Sequence, residues 1–159
     1  MKLRTALLAA ALVQATPALA APPAASPLLG TWSLDVARMT IPANQRPRSV
    51  TIKFSDAGGG RWNSDVEIIG GEGGALRGGS TAALDGVPVA LTTAMPEADK
   101  VALMAPEPHV LVMTLIKDGK ARSTRTYTVA PGGKSMTETV VYLADSLPQM
   151  QMHYFKRSK

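Results

Sequence analysis

The chain has 159 residues, with 17 Lys+Arg against 12 Asp+Glu, two His and no Cys. A chain of this length buries the core of one domain without staples. The missing Cys excludes thiol nucleophiles, Cys-ligated zinc, iron–sulfur clusters, disulfides and a lipidated N-terminal Cys, and no motif calls for a cofactor.

Lys2 and Arg4 precede an unbroken apolar run from Ala6 to Val13, which Gln14, Thr16 and Pro17 end before the small-x-small site Ala18-Leu19-Ala20. This is the pattern of a secretory signal peptide over residues 1–20. The run is too short for a span, which needs ~20 apolar residues. Cleavage after Ala20 leaves 139 residues, and the loss of Lys2 and Arg4 lowers the net charge from +5 to +3. The expected location is therefore periplasmic or secreted. The remaining basic residues are scattered and lack the aromatic interleaving of a nucleic-acid surface. Nucleic-acid partners and stable membrane insertion are not expected, and no protein partner is indicated.

Residues 21–28 begin with the Pro/Ala tract Ala21 to Pro27 and read as an extended or disordered linker. Residues 29–159 read as one domain of short strands rich in Val, Ile, Thr and Leu between Gly, Pro, Asp and Asn turns. The expected strands are Thr31–Leu34, Ser49–Phe54, Trp62–Ile69, Ala75–Leu84, Val87–Thr93, Lys100–Met104, His109–Ile116, Ala121–Val129, Lys134–Tyr142 and Gln149–Lys156. Asp85-Gly86 and Asp118-Gly119 are tight-hairpin signals. His109–Ile116 is so apolar that burial on both faces is expected. Val36 to Pro47 has room for one helical turn at most. The fold class is all-β: an antiparallel up-and-down barrel of about eight to ten strands, which removes exposed edges, with an open sandwich as the alternative.

The hairpin of Ala121–Val129 with Lys134–Tyr142 carries the most informative side chains. If Val129 faces Lys134, then Tyr127 faces Met136 and Arg125 faces Glu138. Alternation puts Ser123, Arg125, Tyr127 and Val129 on one face with Met136, Glu138, Val140 and Tyr142. The other face holds Thr124, Thr126 and Thr128 with Ser135, Thr137 and Thr139, which suits solvent. Arg125 and Glu138 then form a charged pair on an apolar interior, where burial is costly unless charges pair. Two readings follow: a structural ion pair, or an anchor for the polar head of a ligand. Arg125, Tyr127, Glu138 and Tyr142 are the candidate ligand-binding residues.

Other constellations are weaker. Met150-Gln151-Met152-His153 has donors that suit Cu(I), but on a strand His153 points away from both Met residues. No Gly-x-Ser-x-Gly elbow is present, and a catalytic reading would need His109 or His153 beside a carboxylate. Asp65 and Glu67 read as an exposed acidic face. The Gly-rich turns at 57–60 and 70–74 lack the Lys-Ser/Thr of a phosphate cradle. Trp32 is placed to plug one end of a barrel, with Lys156 or Arg157 over its ring.

Gly30 to Asp35, Arg38, Pro42, Asp85-Gly86-Val87-Pro88, Lys117-Asp118-Gly119-Lys120, Arg125 and Gly133-Lys134-Ser135-Met136-Thr137 occur in an order that resembles small exported bacterial lipocalin-like proteins of the calycin group. The resemblance implies an up-and-down barrel with an interior cavity and, by analogy, a small apolar ligand. With no catalytic constellation in the sequence, the expected role is non-catalytic binding of a small apolar or amphipathic molecule. Arg125-Thr126-Tyr127 is similar to the Arg-x-Tyr carboxylate clasp of fatty-acid-binding proteins. Val36–Pro47 is too short for their two-helix lid. The alternative is a periplasmic protein-interaction or envelope-stress module with a solid barrel core and no ligand.

Overall fold

The structure, a computed structural model, describes residues 25–143 and 149–158. The expected signal peptide lies outside the described residues.

Ten strands follow in order: β1 (Gly30–Leu34), β2 (Ser49–Gly58), β3 (Arg61–Ile69), β4 (Ala75–Ala83), β5 (Val89–Met95), β6 (Ala98–Glu107), β7 (Val110–Lys117), β8 (Lys120–Val129), β9 (Ser135–Tyr142) and β10 (Gln149–Arg157). Each pairs antiparallel with the next, and β10 returns to β1, closing an up-and-down barrel. Closure follows from the side-chain period of two: alternate residues of each strand point inward, so one continuous wall encloses them without leaving a free edge.

β7 corrects the expectation of two buried faces. Leu111, Met113 and Leu115 are buried, whereas Val110, Val112, Thr114 and Ile116 are only half-buried. The barrel wall is a single layer, so even an almost wholly apolar strand turns one side to solvent. Between β1 and β2 the chain forms two short 3-10 turns, Val36–Arg38 and Ala43–Gln45, rather than one. Arg46 fastens them, donating to the carbonyls of Ile41 (2.9 Å), Ala37 (3.2 Å) and Met39 (2.8 Å).

Asp85-Gly86 does not make the tight hairpin its composition suggested. Asp85 bridges to Met104 of β6, and its carboxylate accepts from the Val87 N–H at 2.9 Å. The side chain thus closes an Asx turn and widens the connection. β4 and β5 share a single registered pair, Gly79 with Thr93.

One end of the barrel is plugged. Trp32 and Leu28 are fully buried there, and the Trp32 indole N–H donates to the Leu28 carbonyl at 2.8 Å. The stretch entering β1 is therefore packed from Ser26 onward, where the Ser26 hydroxyl donates to the Pro108 carbonyl at 2.7 Å. Arg157, not Lys156, covers the indole, with its guanidinium carbon 4.1 Å from the ring centroid. Trp32 and Arg157 are directly opposite across β1 and β10, which sets them on the same face. Lys156 points outward to Asp35 at 2.9 Å. The Arg157 guanidinium also donates to the carbonyls of Gly133 (2.6 Å), Leu29 (2.8 Å) and Pro27. Phe54 packs edge-on against Tyr127 at 5.5 Å between centroids and tilts against Trp62 at 6.5 Å.

Gly30 has φ +129°, and a Cβ there would overlap Arg157 Nη1. Gly30→Ala should cost about 2–3 kcal/mol, combining backbone strain with displacement of the guanidinium. Urea denaturation is the check. An unchanged midpoint would mean that Arg157 is free to move aside.

Candidate functional site

Above the aromatic plug the barrel is hollow. A cavity of about 420 Å³ opens between the Gln45–Pro47 segment and the turn at Gly70-Gly71. Its walls are aliphatic and Met-rich, with Val50, Ile52, Val66, Leu91, Met95 and Met113 among the lining side chains. Gly78 lets the Met95 side chain pack against the wall, because a Cβ at Gly78 would overlap the Met95 sulfur.

The polar wall comes from β8, β9 and β10. Arg125, Tyr127, Glu138 and Tyr142, the four residues proposed from sequence, all line the cavity. The face assignment and the pairing have different outcomes. Val129 pairs with Met136 rather than Lys134, so Tyr127 lies opposite Glu138 and Arg125 opposite Val140. The turn explains the shift. Gly132 and Gly133 adopt positive φ, the Gly133 N–H donates to Ala130 O at 3.0 Å, and the Ala130 N–H donates to Ser135 O at 2.9 Å. The loop is thereby two residues longer than expected. A two-residue change preserves which side chains face inward, so the same residues meet in a different arrangement.

Glu138 is the centre of that arrangement and is 2% exposed. Its Oε1 accepts from the Tyr127 hydroxyl at 2.6 Å and from Arg125 Nη1 at 3.2 Å. Its Oε2 meets His153 Nδ1 at 2.7 Å. An ionised carboxylate only accepts, so Nδ1 carries the hydrogen. Arg125 Nη2 reaches outward to Glu97 at 3.4 Å, while Arg125 Nε is buried without a partner. Burial alone would raise the Glu138 carboxyl, but the His153 hydrogen bond, the Arg125 charge and the Tyr127 hydroxyl outweigh it and hold it below the ordinary range. Burial, reinforced by the Glu138 charge, pushes the Tyr127 phenol well up. Burial opposes charge on Arg125, but its anionic surroundings prevail and keep the guanidinium charged.

His153 was not among the residues proposed from sequence. It lies directly opposite Glu138 across β9 and β10, and it lines the cavity while Met150 and Met152 are exposed on the outer face. The signal was present in the strand alternation: a residue turned away from two exposed Met side chains faces the interior. The donors of the Met-x-Met-His stretch therefore do not converge. The Glu138–His153 contact is the carboxylate–imidazole pair that a catalytic reading requires, but among the described residues no hydroxyl hydrogen-bonds to His153. His109 is exposed. Asp65 is exposed, and Glu67 is tied to Arg77 of β4.

No protein-family model matches the chain, and no curated protein matches it. Solved structures do. Wild-type fluorescent protein UnaG is 15% identical, with 82% of this chain and 96% of that one covered at a TM-score of 0.51. Rv2717c from M. tuberculosis is 14% identical over 84% of this chain and 94% of its own, TM-score 0.53. Zebrafish ileal bile acid-binding protein complexed with cholic acid is 12% identical over 84% of this chain and 100% of its own, TM-score 0.50. The fold is that of the fatty-acid-binding and lipocalin-like barrels. At such identities the likeness concerns architecture, and function has to be argued from the site.

Proposed function

We propose that this barrel is an exported, non-catalytic carrier that holds a small apolar or amphipathic molecule in its interior. The observation that carries the reading is the cavity: about 420 Å³ of largely aliphatic space, with a polar cluster on β8, β9 and β10 and further polar groups at Gln45, Arg46, Ser64, Asp65 and Glu97. Ligand sites have this size and this division between apolar walls and a few placed polar groups. The solved barrel of the zebrafish protein, complexed with cholic acid, supports the reading by analogy of fold. Export rests on the Lys2-to-Ala20 pattern. No helix among the described residues is long and apolar enough to cross a membrane.

Native mass spectrometry of the protein isolated gently from a periplasmic or secreted fraction tests both parts. The expected spectrum shows a chain beginning at Ala21 carrying a small noncovalent adduct that denaturation removes. A chain retaining Met1 would overturn export. A protein that carries nothing and takes up no added lipophile would overturn the carrier reading.

A further inference from the structure

We infer that the cavity is built for an uncharged amphiphile and rejects the carboxylate of a free fatty acid, because Glu138 already occupies the seat that such a carboxylate would need. The inference rests on the carrier reading and specifies its ligand class.

A carboxylate entering a barrel binds where donors converge. In this interior the donors converge on Glu138: the Tyr127 hydroxyl and Arg125 Nη1 on one oxygen, His153 Nδ1 on the other. Recognition of a carboxylate by Arg is strongest when two parallel N–H groups of the planar fork are free to meet it. A carboxylate already stands at each terminal nitrogen of Arg125, Glu138 at Nη1 and Glu97 at Nη2, and the unpartnered Nε is itself buried. The only other Arg lining the cavity among the described residues, Arg46, is bound to three backbone carbonyls. An incoming anion would meet Glu97 and the almost fully buried Glu138 around a single guanidinium, with Asp65 also lining the cavity. Like charges at short range in a low-dielectric site repel strongly.

A neutral head group faces no such conflict. The Tyr142 hydroxyl lines the same cavity, is half-buried and makes no side-chain hydrogen bond among the described residues. The second ring nitrogen of His153 is likewise unpaired among them. A hydroxyl, ester or amide group can pair with a phenol or an imidazole nitrogen without bringing charge. The aliphatic walls suit its chain.

The test is a competition in which chain length is held constant. The purified protein is incubated with an equimolar mixture of oleyl alcohol and oleate at neutral pH, and the two adducts are counted by native mass spectrometry. The alcohol adduct should exceed the oleate adduct by about tenfold or more. Glu138→Gln, which keeps the shape but removes the competing charge, should raise the oleate share by about tenfold. Glu97→Gln, on an exposed side chain, should move it in the same direction and serves if the Glu138 variant does not fold. Equal adducts, or an excess of oleate on the unmodified protein, would overturn the inference while leaving the carrier reading in place. Absence of both adducts would instead remove the carrier reading itself.

Discussion

Glu138→Ala should be among the most damaging single substitutions in the barrel, with an expected loss of about 3–5 kcal/mol of folding stability in urea at neutral pH. The magnitude comes from what remains behind. Arg125 keeps a buried positive charge whose nearest partner is gone, and the Tyr127 hydroxyl and His153 Nδ1 lose their acceptor. Tyr127→Phe should cost less, about 1.5–3 kcal/mol, because it deletes one hydrogen bond to a charged group and leaves the ion pair. Acid should reveal the same carboxylate. Its folded pKa lies below the ordinary value of 4.5, so its stabilisation is fully present above that value and is lost as pH falls through the depressed one. The unmodified protein should therefore lose stability on acidification more steeply than Glu138→Gln. Parallel slopes between pH 5 and the acid transition, read from denaturant midpoints, would show that Glu138 gains nothing from its neighbours.

Trp32→Ala should cost a comparable ~3–5 kcal/mol. The indole is fully buried and fills the plugged end. Its removal opens a void beneath Arg157 and frees the Leu28 carbonyl. Arg157→Ala should also destabilise, since it strips a donor from the carbonyls of Pro27, Leu29 and Gly133. The two substitutions touch one another, so their effects should not add. A double-mutant cycle should give a coupling of about 0.5–3 kcal/mol, measured by chemical denaturation. A cycle that closes to zero would mean that the guanidinium is held by the carbonyls alone and that the stacked ring contributes nothing.

The strands were legible in the sequence because a period of two and Gly-rich breaks are local properties. Ser49–Phe54 and Trp62–Ile69 announce themselves by alternation and by the glycine turn between them, although the ladder extends to Gly58 and Arg61. The inner face of β8 and β9 was legible for the same reason, and Arg125, Tyr127, Glu138 and Tyr142 could be placed together before any coordinates. Their pairing was not legible. It depends on how many residues the Ala130–Lys134 turn consumes, and two positive-φ glycines there lengthen it. His153 was harder still. Its contact with Glu138 requires the β9–β10 register, which is a long-range property that strand alternation alone does not give. The Asp85-Gly86 turn failed for a third reason: the Asp85 side chain spends its hydrogen bond on the turn, and its backbone pairs with β6 instead of serving a tight hairpin.

The ladder that closes the barrel joins its first strand to its last. Trp32 to Leu34 pair with Arg157 to Phe155, and the Ser158 N–H reaches back to the Thr31 carbonyl at 2.9 Å. Contacts of this sequence separation are the slowest to form, since nearly the whole chain is the loop being closed. Until Gln149–Arg157 arrives, β1 is a free edge bearing an unshielded Trp, and the wall has no way to complete itself from the N-terminal side. The strand order thus makes completion of the wall a long-range event, in which β1 and its Trp32 depend on β10.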